Sequence, residues 1–151
     1  MDGKRRIQPA TTREEDIAAA LAEAYVAQWL GCEFNTADGA DKGWDLEYEG
    51  YRIDVKWIKP NSKARNLLVK AQRGKNGSAV WAPRFPVTDI YVLVDGVPGA
   101  FEIVGWAWTP YVMEHGERHD RPQRVGDLPY FLVRREDLLS PDLLTMLGQT
   151  T

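Results

Sequence analysis

The chain is poor in the residues that announce a site by themselves. Among its 151 residues there is one cysteine, Cys32, and there are two histidines. A single cysteine excludes an internal disulfide and a cysteine-based zinc site, and it fits a reducing compartment, with Cys32 expected to be a small buried hydrophobe. His115 and His119 are spaced like helical zinc ligands, but Gly116 intervenes and no further Cys or His is left to complete four ligands. No apolar run approaches the roughly 18 residues that cross a bilayer, and Met1-Asp2-Gly3-Lys4-Arg5-Arg6 lacks the apolar core of a signal peptide. A soluble, cytoplasmic protein without membrane association is expected. A surplus of positive charge is missing as well: 19 Lys+Arg stand against 22 Asp+Glu, a net charge of −3. That excludes a uniformly basic nucleic-acid coat and leaves any anionic partner to a local patch.

What is present is an ordinary globular mixture, 44% hydrophobic and 27% charged, enough for one packed domain at this length. Residues 1–12 read as a flexible basic lead and residues 13–151 as one domain. Thr12 is a suitable N-cap, with Glu15 as its capping-box partner and Glu14, Glu15 and Asp16 at the positive end of the helix dipole, so a helix is expected over 13–30 with Gly31 as its stop. At about 100° per residue, Ile17, Leu21, Tyr25 and Trp29 form an apolar stripe with Glu14 on its edge, whereas Glu23 points away.

After a short strand expected at 33–35 and a polar loop, the sequence alternates. Trp44, Leu46 and Tyr48 take one face and Asp45, Glu47 and Glu49 the other. Tyr51, Ile53, Val55 and Trp57 then alternate with Arg52, Asp54 and Lys56. Glu49-Gly50 suits a two-residue hairpin turn, because Gly accepts the positive φ that such turns need. Further strands are expected at 66–70, 89–94, Ala100–Trp108 and Tyr130–Val133, with a loop holding one helical turn at 109–129. A last helix is expected at 140–147 with Pro141 in its first turn. The fold class is α+β, a helix followed by a mixed sheet.

A two-residue turn sets Tyr48 opposite Tyr51, Glu47 opposite Arg52 and Asp45 opposite Asp54. Facing residues have Cβ atoms about 4.5–5.5 Å apart, and like charges there repel. A bound cation removes that penalty. Asp45, Asp54 and a backbone carbonyl such as that of Val55 suit Mg²⁺ or Mn²⁺, and Lys56 projects from the same face. Acids that hold a metal beside an ammonium suit phosphodiester hydrolysis, in which the cation offsets charge developing in the transition state.

In this order and spacing the residues resemble the PD-(D/E)XK nuclease superfamily. Asp45 matches its first Asp and Asp54-Val55-Lys56 its D-x-K, while Trp44 stands where the family has Pro. The likeness spans residues 13–58 well and 89–94 loosely. It implies a restriction-endonuclease-like core and a metal-dependent DNA nuclease, with Asp45, Asp54 and Val55 at the metal, Lys56 as catalytic cation, and Glu14 or Glu15 from the helix assisting. Independently, residues 55–84 carry eight Lys and Arg and no Asp or Glu. Lys59, Lys63, Arg65, Lys70, Arg73 and Lys75 are therefore expected to meet a DNA backbone. At this size, specificity is left to loops, a homo-oligomeric partner or a larger nuclease complex. The alternatives are a catalytically silent nuclease-fold module that binds DNA or a protein, and a protein-interaction factor using exposed aromatics.

Overall fold

The computed structural model describes residues 13–33, 44–62, 65–122 and 126–149. Helix α1 (Arg13–Leu30) leads into the hairpin β1 (Leu46–Tyr48) and β2 (Tyr51–Trp57). Short strands β3 (Leu67–Lys70), β4 (Gln72–Arg73) and β5 (Ala79–Val80) follow. The long pair β6 (Ile90–Val97) and β7 (Ala100–Trp108) comes next, then α2 (Thr109–His115), β8 (Glu117–His119), β9 (Tyr130–Val133) and α3 (Pro141–Met146). The proposed N-cap Thr12, the loop 36–43 and Lys63 lie outside the described residues, as do two residues of the strand expected at 33–35.

The central sheet runs β1-β2-β6-β7, with β2 and β6 parallel and the two outer pairs antiparallel. The hairpin has the expected register: Leu46 faces Ile53, Glu47 faces Arg52 and Tyr48 faces Tyr51. Its turn places Glu49 at φ 51° and Gly50 at φ 84°, both positive as a two-residue turn demands. Asp89 fixes the next register, since its carboxylate accepts the Arg52 N–H at 2.9 Å and its own N–H donates back to the Arg52 carbonyl at 2.9 Å. Asp54 consequently lies beside Tyr91, and Lys56 beside Leu93. A second sheet, β3-β9-β8, and a small β4-β5 ladder complete the sheets found among the described residues.

Both faces of the central sheet are covered. Under α1, Ala22, Val26 and Ala27 pack with Leu46, Ile53, Val55, Ile90, Val92, Val94 and Trp106, and Leu144 of α3 closes the end. The other face buries Tyr91, Leu93 and Ala107 against Leu67, Val69, Phe131 and Val133 of the second sheet, with Val112 of α2. The helix is rotated from the expected orientation. Its buried residues are Ala18, Ala22, Val26 and Ala27, whereas Ile17, Leu21 and Tyr25 are exposed. Small side chains allow the helix to lie close on the sheet, and close packing over a long contact outweighs burial of a few larger groups at a wider spacing. The loop expected at 109–129 instead contains the two-turn helix α2 and the strand β8. α3 begins with Pro141 in its first turn as expected, capped by Ser140, whose hydroxyl accepts the Asp142 N–H.

Candidate functional site

The site forms where β1 gives way. Asp45 still donates its N–H to the Ile53 carbonyl at 2.8 Å, but the next donor, the Val55 N–H, is taken by the Asp45 carboxylate, at 2.8 Å through Oδ2. A side chain thus completes a ladder that the backbone has left. The Asp54 carboxyl lies beside it and favours its protonated form. Burial, the adjacent Asp54 and the charge of Glu23 together push the Asp45 carboxyl up to about 8.

Lys56 answers part of this negative charge, its Nζ lying 2.8 Å from Asp54 Oδ2. The Asp54 side chain is only 15% exposed, against 38% for Lys56. The expectation that both project from an open, wet face therefore needs correcting: the covering second sheet makes this face a narrow cleft. The cleft has a volume of about 60 Å³ and is lined by Asp54, Lys56, Val69, Lys70, Arg84, Phe85 and Tyr91.

The helix contributes a different glutamate from those expected. Glu23 is half-buried, and desolvation together with the charge of Asp54 pushes its carboxyl up to about 7, with Lys56 opposing. Glu14 and Glu15 stand some 12–13 Å back along the helix axis at 1.5 Å per residue. They line a separate groove of about 540 Å³ with Ile17, Trp57, Pro60 and Val97. They are not part of the acid cluster. The correction follows from the helix rotation, since a face carrying Ala22, Val26 and Ala27 also turns Glu23 inward. Its sequence signal was present: Glu23 sits next to Ala22 and three residues before Val26 on a face of small residues.

Tyr91 was also missed. It is buried beside Asp54, and its phenol is held neutral, above the ordinary tyrosine range, by burial and by the Asp54 charge, while the Thr109 and Thr88 side chains hydrogen-bond to it. Thr109 is itself fixed by donating from Oγ1 to the Thr88 carbonyl at 2.7 Å. Tyr91 reads as one member of an apolar run in sequence, and only the parallel pairing with β2 brings it to the acids.

The basic segment divides. Arg65 is committed to Asp95, which also takes Arg135 at 3.4 Å, and it donates to the Lys59 carbonyl at 3.2 Å. Arg73 bonds Asp120 at 2.7 Å and the Gly77 and Asp127 carbonyls at 2.7 and 3.1 Å. These two arginines hold loops together and are corrected from free phosphate contacts to structural ties. Lys75 is exposed on the loop before Gly77, away from the residues that line the cleft. Lys70 and Arg84 line it.

Trp81, Trp106 and Trp108 pack, whereas Tyr25, Tyr51 and Tyr111 are exposed. Trp106 is buried and donates from Nε1 to the Ser140 carbonyl at 2.9 Å, Trp108 lies edge-on to Tyr51, and Trp81 lies edge-on to Phe131. His115 ends α2 beside Glu114, and His119 lies in β8 beside Glu117 and stacked on Tyr130. Cys32 is half-buried against the helix-side core.

The fit of a divalent cation rests on the donor set. Among the described residues no three His, Cys, Asp or Glu side chains form a ready metal cage. The site offers instead the adjacent acids Asp45 and Asp54, with the Val55 carbonyl nearby in the chain. Hard oxygen donors in such a pair suit Mg²⁺ or Mn²⁺, which keep several waters rather than demand an all-protein cage. Among the described residues no helix is long and apolar enough to cross a membrane. Comparison with known protein families, with curated proteins and with solved structures finds no match for this chain.

Proposed function

We propose that the protein is a metal-dependent nuclease of restriction-endonuclease-like architecture that hydrolyses phosphodiester bonds in DNA. The observation that carries this reading is the convergence of Asp45 and Glu23 on Asp54, whose ion pair with Lys56 lines a cleft together with Lys70 and Arg84. The element order supports it, because a helix bearing a Glu followed by a hairpin with an Asp and a D-x-K are the parts that the resemblance implies. Asp45, Asp54 and the Val55 carbonyl would hold the cation, which when bound polarises a phosphate and lowers the pKa of its water.

The chain's own groups do the rest. The Val55 N–H holds Asp45 by one oxygen and leaves the other for the cation, so the carboxylate needs little reorganisation. Lys56, anchored on Asp54, sets a positive charge where negative charge grows on the phosphoryl oxygens. Tyr91 stays protonated beside Asp54 and supplies no second anion. Glu23 adds negative charge from the helix side that favours a cation over the Asp45 proton.

The test is incubation of the purified protein with Mn²⁺ and a panel of linear, circular, single-stranded and branched DNA. Wild type is expected to cut, and the Asp45→Asn, Asp54→Asn double variant to lose at least about 100-fold in rate, the several kcal/mol that a metal centre supplies. Wild type should also gain thermal stability from Mn²⁺ by mass action, and the double variant should not. A wild type that binds DNA in EDTA and never cuts would favour a silent nuclease-fold module, a reading for which the ion-paired state of Asp54 speaks.

A further inference from the structure

We infer that Lys70 and Arg84 form a phosphate clamp at the mouth of the Asp54 cleft, and that the protein reads the nucleic-acid backbone there and not the bases. The inference rests on the phosphodiesterase reading above and names how its substrate is held. Three observations carry it. First, Lys70 and Arg84 belong to different segments yet are tied together, since the Arg84 N–H donates to the Lys70 carbonyl at 2.9 Å. Their side chains therefore flank one opening together with Lys56.

Second, they differ from the neighbouring cations in what they touch. Arg65 and Arg135 are ion-paired with Asp95, Arg73 with Asp120 and Arg134 with Glu117. Among the described residues no carboxylate pairs with the Lys70 ammonium or the Arg84 guanidinium, and Arg84 instead lies over the Phe85 ring at 5.1 Å. Both are exposed. With Asp54 and Lys56 cancelling, the opening carries two unbalanced positive charges in a protein of net charge −3. Unpaired cations that converge at the rim of a cleft suit a polyanion.

Third, the cleft is small. At about 60 Å³ it is closed at the back by Tyr91 and Val69, both buried, so the cations at its rim are what a ligand meets first. Side chains that meet only phosphates position the strand and carry no sequence information.

The experiment is fluorescence anisotropy of the full chain in EDTA with labelled oligonucleotides of unrelated sequence, single-stranded and duplex, across a salt series. Wild type is expected to bind all sequences alike. The Lys70→Ala, Arg84→Ala double variant should flatten the slope of log affinity against log salt by about 1.8 on duplex or about 1.4 on single strands, two phosphates' worth of released counterions. Lys70→Arg, Arg84→Lys, which keeps both charges, should keep the slope, and a matching melting temperature shows that the alanine variant is folded. An unchanged slope in the alanine variant, strong sequence preference in wild type, or no binding by wild type overturns the clamp. Cleavage by wild type of the same oligonucleotides in Mn²⁺ separates the two readings. Cutting with an unchanged variant slope removes the clamp alone, and salt-sensitive binding without cutting removes the nuclease alone.

Discussion

On the face of the central sheet under α1, Ile53 and Val55 of β2 meet Val92 and Val94 of β6 and the alanines of the helix. One residue out of phase along the same two strands, Asp54 and Lys56 lie beside Tyr91 and Leu93. Both faces are covered, yet they are covered differently. The helix face is sealed by small side chains packed without interruption. The opposite face is sealed by the β3-β9-β8 sheet only over its β6 and β7 side, and it opens into a cleft where β2 carries charge. The comparison teaches how a single alternating strand serves two ends, with stability on one face and ionisable groups held in partial desolvation on the other. Partial desolvation is the useful state, since acids left in open water keep ordinary pKa values and fully buried ones lose their charge.

The largest effect that should separate the faces is on folding. Ile53 is fully buried, so Ile53→Ala is expected to cost about 2–5 kcal/mol, and each kcal/mol lowers the melting temperature by about 2–4 °C in a domain of this size. Asp54→Asn, one position along, should melt at or above wild type in EDTA. It loses an ion pair whose Lys56 end is 38% exposed, and it relieves the repulsion with Glu23. Should Asp54→Asn melt as far below wild type as Ile53→Ala, Asp54 is a structural partner and the contrast between the faces collapses.

Next in size is a contrast along α1 itself. Glu23→Gln removes a carboxylate whose charge bears on Asp45 and is expected to weaken Mn²⁺-supported cleavage about 10–100-fold, the usual range for groups that act on a metal through its ligands. Glu14→Gln, more than two turns away in an exposed position, should match wild type. Parallel rate measurements on the two variants decide it, and equal losses would return the helix contribution to the dipole at the amino-terminal end.

These variants also mark where sequence reasoning stopped. The hairpin was legible because turn chemistry and alternation are local: Glu49-Gly50 accepts the positive φ values, and the register that sets Asp45 near Asp54 follows from the turn. The Ala100–Trp108 strand and the Pro141 start of α3 were legible for the same reason. The facing of α1 was not, because ranking by hydrophobicity chose Ile17, Leu21 and Tyr25, while the sheet required the close approach that only Ala18, Ala22 and Ala27 permit. The error carried Glu23 outward and Glu14 inward. Charge clustering likewise showed a basic segment but not that Asp95 and Asp120, 30 and 47 residues away, would take Arg65 and Arg73. The cover over Asp54 depended on β3 and β9, whose antiparallel pairing joins Val69 to Phe131, far apart in the chain.

The last expected effect is a slope with pH, and it tests the cleft face most directly. In the metal-free protein the groups facing Asp45 are Glu23 from α1, Asp54 and Lys56 from β2, and beyond Asp54 the neutral Tyr91 from β6. An unfolded chain releases the Asp45 proton near 3.8, whereas the folded protein keeps it to about 8. Between those limits the folded state binds more protons, so stability falls as pH rises, by at most about 1.4 kcal/mol per pH unit from this group. Asparagine at position 45 cannot titrate and keeps an amide where the protonated acid stood. In EDTA, the melting temperature of Asp45→Asn relative to wild type should therefore climb from about pH 5 to about pH 8, and level off above it. Saturating Mn²⁺ should abolish the wild-type decline, because the cation takes the place of the Asp45 proton and binds more tightly as that proton leaves. Parallel pH profiles for the two proteins in EDTA would mean that Asp45 ionises as freely folded as unfolded, and the partial desolvation that distinguishes this face from the one under α1 would then be absent.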